Sequence, residues 1–452
     1  MSGFAGSGKT FLSIKLLNIV EDDQTCWTVV APTHKAVNVL RNALNDFGLK
    51  PTWNPSTIHR LLRLKLKRKG DLEICEETKQ TENSLDNLGL VLIDEASMID
   101  SNLLNILLKS AYKFKTRLVF VGDPAQLPPI GEAISPLFSI TKAHKAHLNE
   151  VVRHQGPILK LASILRQEKF ICCPPKCFSP ITNNKGSVGC LDNFSWLKKA
   201  QDALKSGAKD NDPDAARILC YTNRFLERLI PHARRAIHGE EADKMFILPG
   251  EVLITRRAVM IQASIDQVKS IYEPGMLFGS NEEIVVKDVA PHTCDLLESD
   301  LLSNLLDSAP LIKTLLVNVI CKNMEFSIRV LPELGSDSRN ILDAFLDKLC
   351  FIARESTSSK SRKLWKAFFH IRDSFASVGP ASVLTVHRSQ GSTFRDVFIA
   401  SDVFWPKDMN LRKQLVYVAI SRASNAVWFL ETKGANANNN LIESIKLIHN
   451  HK

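Results

Sequence analysis

The stretch Gly3-Phe-Ala-Gly-Ser-Gly-Lys9-Thr10 has the G-x-x-x-x-G-K-[ST] form of a phosphate-binding loop. Glycines let such a loop curl until its N–H groups point at an anion, and the helix that follows directs its positive end at the same charge. Lys9 should reach the outer phosphates of a nucleoside triphosphate, and Thr10 should give its hydroxyl to Mg²⁺. We expect the remaining phosphate contacts from Gly3, Gly6, Ser7 and Gly8.

Only Met1 and Ser2 precede this loop in the chain. A phosphate-binding loop is normally the turn between a buried strand and a helix, so the sequence predicts that the first strand of the sheet is missing. A start codon placed too far downstream, or a truncated sequence, would account for this. Loss of a central strand should lower both nucleotide affinity and stability.

Length and composition are those of a globular protein with about three domains. The 452 residues are 44% apolar and 23% charged, and the net charge is +10. A basic balance fits a polyanion partner and fits a solvated surface equally well. No apolar run reaches the length of a membrane span, so we expect no membrane partner and a cytoplasmic protein.

The ten cysteines are scattered along the chain, which predicts free thiols rather than a disulfide framework. One cluster contains Cys172, Cys173, Cys177 and Cys190, but its spacing lacks the paired C-x₂-C pattern of a zinc site. Proline and lysine lie among these cysteines. We therefore expect a surface loop there and not a metal site.

Apolar runs alternate with amphipathic stretches, which is typical of parallel sheets flanked by helices. The predicted strands are 26–30, 88–93, 118–121, 218–223, 382–386, 397–400 and 427–430, and the predicted helices are 34–45, 102–112 and 224–238. A charged segment at 61–87 contains a predicted hairpin at 63–74. A β-rich module is predicted at 249–331, followed by helical sequence at 337–376 with an exposed linker at 356–361.

Asp94 and Glu95 directly follow the apolar run 88–93, which indicates a strand buried on both faces. These carboxylates should lie at the carboxyl edge of the sheet, beside the phosphate loop of the neighbouring strand. Asp94 can hold Mg²⁺, directly or through water, and Glu95 can orient and deprotonate the attacking water. Acidic strand ends are common, but the combination with a phosphate loop favours hydrolysis of ATP or GTP.

The strand at 118–121 is followed by Gly122-Asp-Pro-Ala-Gln126-Leu-Pro-Pro129. The amide of Gln126 could hydrogen-bond to the γ-phosphate or to the attacking water, and would then sense whether the γ-phosphate is present. The alternative is a proline-rich turn in which the glutamine is incidental.

These segments resemble the motifs of superfamily 1 helicases, in the order that the family has them. The phosphate loop resembles motif I, VLIDEASMID (91–100) motif II and GDPAQLPPIGE (122–132) motif III. APTHKA (31–36), STIHR (56–60), VHRSQGST (386–393) and LVYVAISRA (415–423) resemble motifs Ia, Ib, V and VI. The T-[IV]-H and H-[KR]-[SA]-Q-G forms are similar to those of the 5′→3′ branch that contains RecD and the phage Dda helicase.

The resemblance implies ATP as substrate, Mg²⁺ as cofactor and a catalytic role for each matching residue. Lys9 and Thr10 would bind phosphates and metal, Asp94 would support the metal, Glu95 would be the general base and Gln126 the γ-phosphate sensor. Arg153 and Arg422 would be two arginine fingers from the second motor domain, which neutralise the charge that phosphoryl transfer spreads over oxygens. Hydrolysis would then require the cleft between the domains to close.

The resemblance also implies single-stranded DNA across both motor domains, held through phosphates and stacked bases. The candidate contacts are Pro32, Thr33, Thr57, His59, His387 and Ser389. Both histidines could equally be core residues bonded to backbone. The hairpin at 62–77 would be the wedge that splits the duplex. Its stretch 71–76 contains no aromatic residue, which puts strand separation by base stacking in doubt.

The implied fold is α/β, with two RecA-like parallel-sheet motor domains, a β-hairpin insertion in the first and a small β-barrel insertion in the second. We expect the first motor domain at 1–60 and 86–150, with the hairpin insertion at 61–85. The second motor domain is expected at 151–245 and 377–452, with its insertion at 246–376. The implied activity is 5′→3′ DNA unwinding by a monomer in replication, recombination or repair. Duplex junctions and a single-strand-binding protein are the other candidate partners.

Two alternatives remain open at this point. One is a DNA-stimulated translocase that separates duplex poorly, which the non-aromatic hairpin favours. The other is a DNA-binding remnant that no longer hydrolyses ATP, which the missing first strand favours and the intact motif residues oppose.

Overall fold

The computed structural model describes residues 1–69, 72–129, 131–132, 134–150, 156–167, 170–265 and 275–432, with the backbone alone at 65–69 and 72–75. The chain divides into two compact units. The first consists of Met1–Ile237 with Ser382–Lys452 and contains both predicted motor domains, called the first and second lobes below. The second unit is His238–Ala381 and corresponds to the insertion predicted at 246–376.

The first lobe alternates strands and helices, as the sequence predicts. Its strands are β1 (Ser2–Gly3), β2 (Trp27–Ala31), β3 (Ser56–Thr57), β4 (Lys65–Lys69), β5 (Leu72–Glu76), β6 (Leu90–Ile93), β7 (Arg117–Phe120) and β8 (His147–Leu148). Its helices are α1 (Lys9–Asp22), α2 (His34–Asp46), α3 (Ile58–Leu61) and α4 (Ser101–Phe114). The antiparallel pair β4–β5 is the predicted hairpin.

The first sheet is parallel and has the order β3-β2-β6-β7. Helices α1 and α2 bury apolar side chains against one face, and α4 covers the other face. Because both faces are buried, β6 is a continuous apolar run and β2 is apolar except for Thr28, so neither strand alternates. All four strands therefore end at one edge, where the motif residues follow them.

The prediction that the first strand is missing is wrong. Ser2 and Gly3 form β1, which pairs in parallel with β8 on one side and bridges to Gly122 on the other. The prediction that the acidic strand adjoins the strand of the phosphate loop is wrong as well. Since β1 lies next to Gly122, directly after β7, strand β7 separates it from β6.

The second lobe begins with α5 (Gly156–Leu165), β9 (Phe178–Asn183), β10 (Gly186–Leu191), α6 (Asn193–Lys209), β11 (Ala216–Cys220) and α7 (Asn223–His238). Cys190 lies on β10, between two paired strands, and both it and Cys172 are buried. The expectation that the cysteine cluster forms a surface loop is therefore wrong for these two residues. The described cysteines other than Cys75 are free thiols.

The second unit is mainly antiparallel. Its elements are α8 (Glu241–Lys244), β12 (Val252–Thr255), β13 (Val259–Met260), β14 (Met276–Phe278), β15 (Glu283–Asp295), α9 (Asp300–Ser303), β16 (Leu311–Cys321), β17 (Met324–Val330), α10 (Asp337–Glu355), α11 (Ser358–Asp373) and β18 (Val378–Pro380). Five strands form one sheet in the order β17-β16-β15-β12-β18. Val330 of the edge strand β17 bridges to Ala376, two residues before the other edge strand β18, while closure into a barrel stays a prediction. The linker predicted at 356–361 is shorter, because α11 already begins at Ser358.

The chain then returns to the second lobe with β19 (Val383–Thr385), β20 (Phe394–Ile399), α12 (Met409–Ser421) and β21 (Ala423–Leu430). The sheet order is β19-β11-β20-β21-β10-β9, parallel except for the edge strand β9. The predicted α/β class with two parallel-sheet lobes is confirmed. In the described part of the chain, no helix is both long and apolar enough to cross a bilayer.

Trp196 on α6 fixes this helix to the second sheet. Its indole is buried, packs edge-to-face against Phe398 and donates from Nε1 to the carbonyl oxygen of Trp428 at 2.9 Å. The side chain therefore combines a large apolar surface with a satisfied polar group.

Replacing Trp196 with Phe should lower the free energy of unfolding by about 1–3 kcal/mol, because the Trp428 carbonyl loses its partner and the core loses volume. Urea unfolding followed by circular dichroism would measure this. Trp405→Phe at a half-exposed position is the matched control and should change the value by less than about 0.5 kcal/mol. Equal effects of the two substitutions would contradict the anchoring role.

Candidate functional site

The phosphate loop curls because two glycines adopt left-handed backbone angles. Gly6 has φ 79°, and Gly8, which caps α1, has φ 80° and ψ 19°. An L side chain would be strained at either position. The Nζ of Lys9 donates to the carbonyl oxygens of Gly3 and Phe4, at 2.9 Å each, and so lies across the loop.

Asp94 joins the acidic strand end to the phosphate loop. Its carboxylate accepts hydrogen bonds from the Thr10 hydroxyl and, at 2.8 Å, from the N–H of Glu95. Burial, with 8% of the residue exposed, raises the pKa of Asp94 to about 7, and the charge of Glu95 acts in the same direction. The positive charge of Lys9 opposes that shift. A cation near Asp94 would favour the ionised form further.

Glu95 has a backbone conformation that is unusual for a residue other than glycine. Its φ is 49° and its ψ is 38°, in the left-handed region, and the next N–H, of Ala96, donates to the Val121 carbonyl at 2.9 Å. Such a conformation costs about 1–3 kcal/mol and persists only where neighbours hold it. It turns the Glu95 side chain, which is partly exposed, out of the strand direction. This placement is consistent with the general-base role, which stays a prediction.

Gln126 lies in the turn after β7 and is 4% exposed. Its N–H donates to the Asp123 carbonyl at 3.1 Å, whereas its Oε1 is buried without a partner among the described residues. The buried Oγ of Ser7 in the phosphate loop also has no hydrogen-bond partner among the described residues. Buried polar atoms are nearly always hydrogen-bonded. The Gln126 Oε1 can only accept and therefore suits a donor such as a water molecule, whereas the Ser7 hydroxyl can donate to a water molecule or to a phosphate.

These residues fit a magnesium triphosphate. Mg²⁺ prefers hard oxygen ligands, and Thr10 and Asp94, already in contact, are the residues that would hold it. When bound, the ion would lend positive charge to the phosphate oxygens. Lys9 supplies a second cation, and the N-terminus of α1 adds its dipole.

Of the two predicted arginine fingers, the structure describes one. Arg153 lies outside the described residues. Arg422 follows α12 directly and is 3% exposed. Its Nε donates to the Val418 carbonyl at 3.2 Å, and its Nη1 donates to the Ser392 carbonyl at 3.3 Å. The guanidinium is thus held within its own lobe, and the finger role stays a prediction.

The candidate DNA contacts of the first lobe share one edge of the sheet. Pro32 and Thr33 follow β2, and Thr57 ends β3, which pairs with β2 at Ala31. Thr33 caps α2 by accepting from the Ala36 N–H at 3.3 Å, and Thr57 caps α3 by accepting from the Arg60 N–H at 3.2 Å. His59 is on α3 and half-buried. The structure therefore brings these four candidates together.

In the second lobe, His387 and Ser389 follow β19. Burial lowers the pKa of His387, and its ring lies 6.1 Å from that of Tyr221. A neutral imidazole could donate a hydrogen bond to a phosphate but would form no ion pair. Ser389 is fully buried, and its hydroxyl donates to the Val386 carbonyl at 2.8 Å, so its side chain stabilises the turn. Contact of either residue with DNA stays a prediction.

Sequence reasoning missed three residues that connect the lobes. Tyr417 of α12 hydrogen-bonds both Asp123 and the backbone of the phosphate loop. The guanidinium carbon of Arg166, just beyond α5, lies 3.5 Å from the centre of the Phe4 ring in that loop. Tyr417 and Asp123 lie inside motifs VI and III, but only their burial and contacts single them out.

Fold and site together define a phosphate-loop NTPase built from two parallel-sheet lobes. Protein-family models agree, because the AAA domain matches residues 1–169 and the UvrD-like helicase C-terminal domain matches residues 380–430. The chain is 23% identical to the ATP-dependent DNA helicase dda of Enterobacteria phage T4, over 95% of this chain and 93% of that protein. It is 24% identical to uncharacterized protein R530 of Acanthamoeba polyphaga mimivirus, over 95% and 94% of the two chains.

A crystal structure of Pif1 helicase from Bacteroides, in complex with ADP-AlF3 and single-stranded DNA, is also similar. It is 15% identical with a TM-score of 0.48, over 100% of this chain and 93% of that chain. The predicted resemblance is confirmed: this chain is homologous to the Dda helicase over nearly its whole length, and it contains an AAA domain and a UvrD-like helicase C-terminal domain.

Replacing Lys9 with Ala should lower ATP turnover by about 100-fold or more, because the outer phosphates lose their cation. Affinity for single-stranded DNA should change little, since the DNA candidates follow other strands. Lys15→Ala is a matched control on the same helix, where the Nζ lies over the Phe11 and Phe47 rings. Substantial turnover by the Lys9 variant in a coupled ATPase assay would remove Lys9 from the site.

Glu95→Gln should reduce turnover by about 100-fold or more while ATP still binds, because an amide cannot accept the proton of the attacking water. The surface substitution Glu82→Gln serves as the control. Equilibrium binding of a fluorescent ATP analogue would separate the two effects. If binding and turnover fall together, Glu95 holds the nucleotide rather than activating water.

Proposed function

We propose that this protein is an ATP-dependent DNA helicase that translocates 5′→3′ on single-stranded DNA and unwinds duplex. The observation that carries the proposal is the meeting of Lys9, Thr10 and Asp94 at the carboxyl edge of the first sheet. These are a phosphate cation and two oxygen ligands for Mg²⁺, and the partly exposed carboxylate of Glu95 follows directly in the chain.

The sheet also provides a path from nucleotide to DNA. Strand β2 pairs with β6, which ends at the acidic residues, and with β3, which ends at Thr57. The DNA candidates are therefore one or two strands away from Asp94 on the same edge. A change in the nucleotide that moves β6 relative to β2 would reach the DNA contacts through packed backbone.

The polarity in this proposal comes from motifs Ib and V, whose T-I-H and H-R-S-Q-G forms are those of the 5′→3′ branch. The net charge of +10 suits a polyanion. The proposal includes forked duplex as substrate, a monomeric protein, a single-strand-binding protein as partner, and the cytoplasm of a bacterial or phage-infected cell as the setting. DNA replication, recombination and repair are the processes in which such an activity is used.

A second candidate is a translocase that separates duplex poorly. The observation in its favour is the sequence of the hairpin β4–β5, because the stretch 71–76 has no aromatic side chain to stack on a base. Such a protein would move along single strands and displace bound proteins while unwinding little.

The helicase proposal predicts DNA-stimulated ATP hydrolysis and unwinding of duplexes with a 5′ single-stranded tail but not of those with a 3′ tail. A fluorescence-quench unwinding assay on both substrates would test it, with the Lys9→Ala variant as the inactive control. Displacement of streptavidin from the 3′ end of a biotinylated single strand, without unwinding, would support the translocase instead. ATP hydrolysis that DNA does not stimulate would contradict both.

A further inference from the structure

One side chain of the second lobe contacts two segments of the first lobe that are predicted to bind the nucleotide. Tyr417 on α12 is 2% exposed. Its hydroxyl donates to Oδ2 of Asp123 at 2.8 Å and accepts from the N–H of Ala5, in the phosphate loop, at 3.1 Å. Burial raises the pKa of Tyr417, with the charge of Asp123 acting in the same direction, so the phenol keeps its proton.

Asp123 carries this contact on to the predicted γ-phosphate sensor. It is 0% exposed, its Oδ1 accepts from the Ala125 N–H at 3.0 Å, and its carbonyl accepts from the Gln126 N–H at 3.1 Å. The turn that places Gln126 is therefore tied to the phenol. A displacement of α12 would act on the phosphate loop and on the sensor turn together.

Neighbouring contacts on the second lobe strengthen this connection. Arg166 places its guanidinium against the ring of Phe4, the residue before Ala5, and its Nη2 donates to the Ser163 hydroxyl at 2.8 Å. Arg422, the candidate finger, directly follows the helix that carries Tyr417. One rigid helix thus holds the tyrosine and positions the finger candidate at its end.

We propose that Tyr417 is a positioning residue that couples closure of the two lobes to ATP hydrolysis. The inference rests on the proposed function. In the closed arrangement the Asp123 carboxylate and the Ala5 N–H are buried, and the phenol satisfies both. In an open arrangement water can pair with them instead. The hydroxyl therefore stabilises the closed, hydrolysing state selectively, and a ligand that closes the lobes needs less binding energy to do so.

The variant Tyr417→Phe removes only this hydroxyl, and Tyr112→Phe, at a position 90% exposed, is the matched control. We expect Tyr417→Phe to lower the DNA-stimulated kcat for ATP about tenfold or more, equivalent to about 1.4 kcal/mol. Affinity for single-stranded DNA without nucleotide should stay within about threefold of wild type, because the DNA candidates do not contact the phenol. The control should keep wild-type kcat.

A double-mutant cycle with Asp123→Ala separates coupling from general damage. If the hydrogen bond between Tyr417 and Asp123 carries much of the effect, the loss of kcat in the double variant is smaller than the product of the two single losses. Multiplicative losses, or a fall in thermal midpoint that accounts for the lost activity, would overturn the proposal. So would a kcat for Tyr417→Phe within about twofold of wild type. A wild-type protein without DNA-stimulated hydrolysis would instead refute the proposed function itself.

Discussion

The phosphate loop depends on the pairing of its first residues between two neighbouring strands. The Gly3 N–H donates to the Gly122 carbonyl at 3.1 Å, and the Gly122 N–H donates to the Met1 carbonyl at 3.2 Å. On the other side, the Ser2 N–H donates to the Ala146 carbonyl at 2.8 Å. This pairing fixes where the chain leaves the sheet, and hence where Lys9 begins α1 and where Thr10 meets Asp94. Motif III begins at Gly122, so the sensor turn is aligned by the same hydrogen bonds.

Much of the α/β framework follows from the sequence. Strands β2 and β6 are apolar on both faces, and the amphipathic helices α2 and α4 need one covered face each, so their existence and type were predictable. Strand order was not, because an apolar run does not encode its neighbour. For this reason the sequence did not show that β7, and not β6, adjoins the strand of the phosphate loop. The short β1 also escaped prediction, since two residues carry no periodicity.

For the site, too, the sequence predicts the residue types but not their geometry. Motif spacing predicts which side chains bind phosphate and metal, and the structure brings Lys9, Thr10 and Asp94 together. Motif spacing does not predict that Glu95 has left-handed backbone angles, which occur together with a hydrogen bond from the Ala96 N–H to the distant Val121 carbonyl. Nor does it single out Tyr417, whose two partners lie on segments distant in sequence. Contacts of this kind arise only once both lobes are folded.

Arg422, the predicted arginine finger, is buried at the end of the helix that carries Tyr417. Its guanidinium donates to the carbonyls of Val418 and Ser392 and, at 2.8 Å, to the Ser421 hydroxyl. An anionic oxygen attracts a guanidinium more strongly than a neutral carbonyl oxygen does. In the predicted finger role, phosphate charge at the loop would therefore favour an exchange of these partners for a phosphate oxygen. Because Tyr417 holds the same helix against the loop, that exchange would cost least when the lobes are already closed, so charge on the nucleotide and closure of the lobes would select the same state.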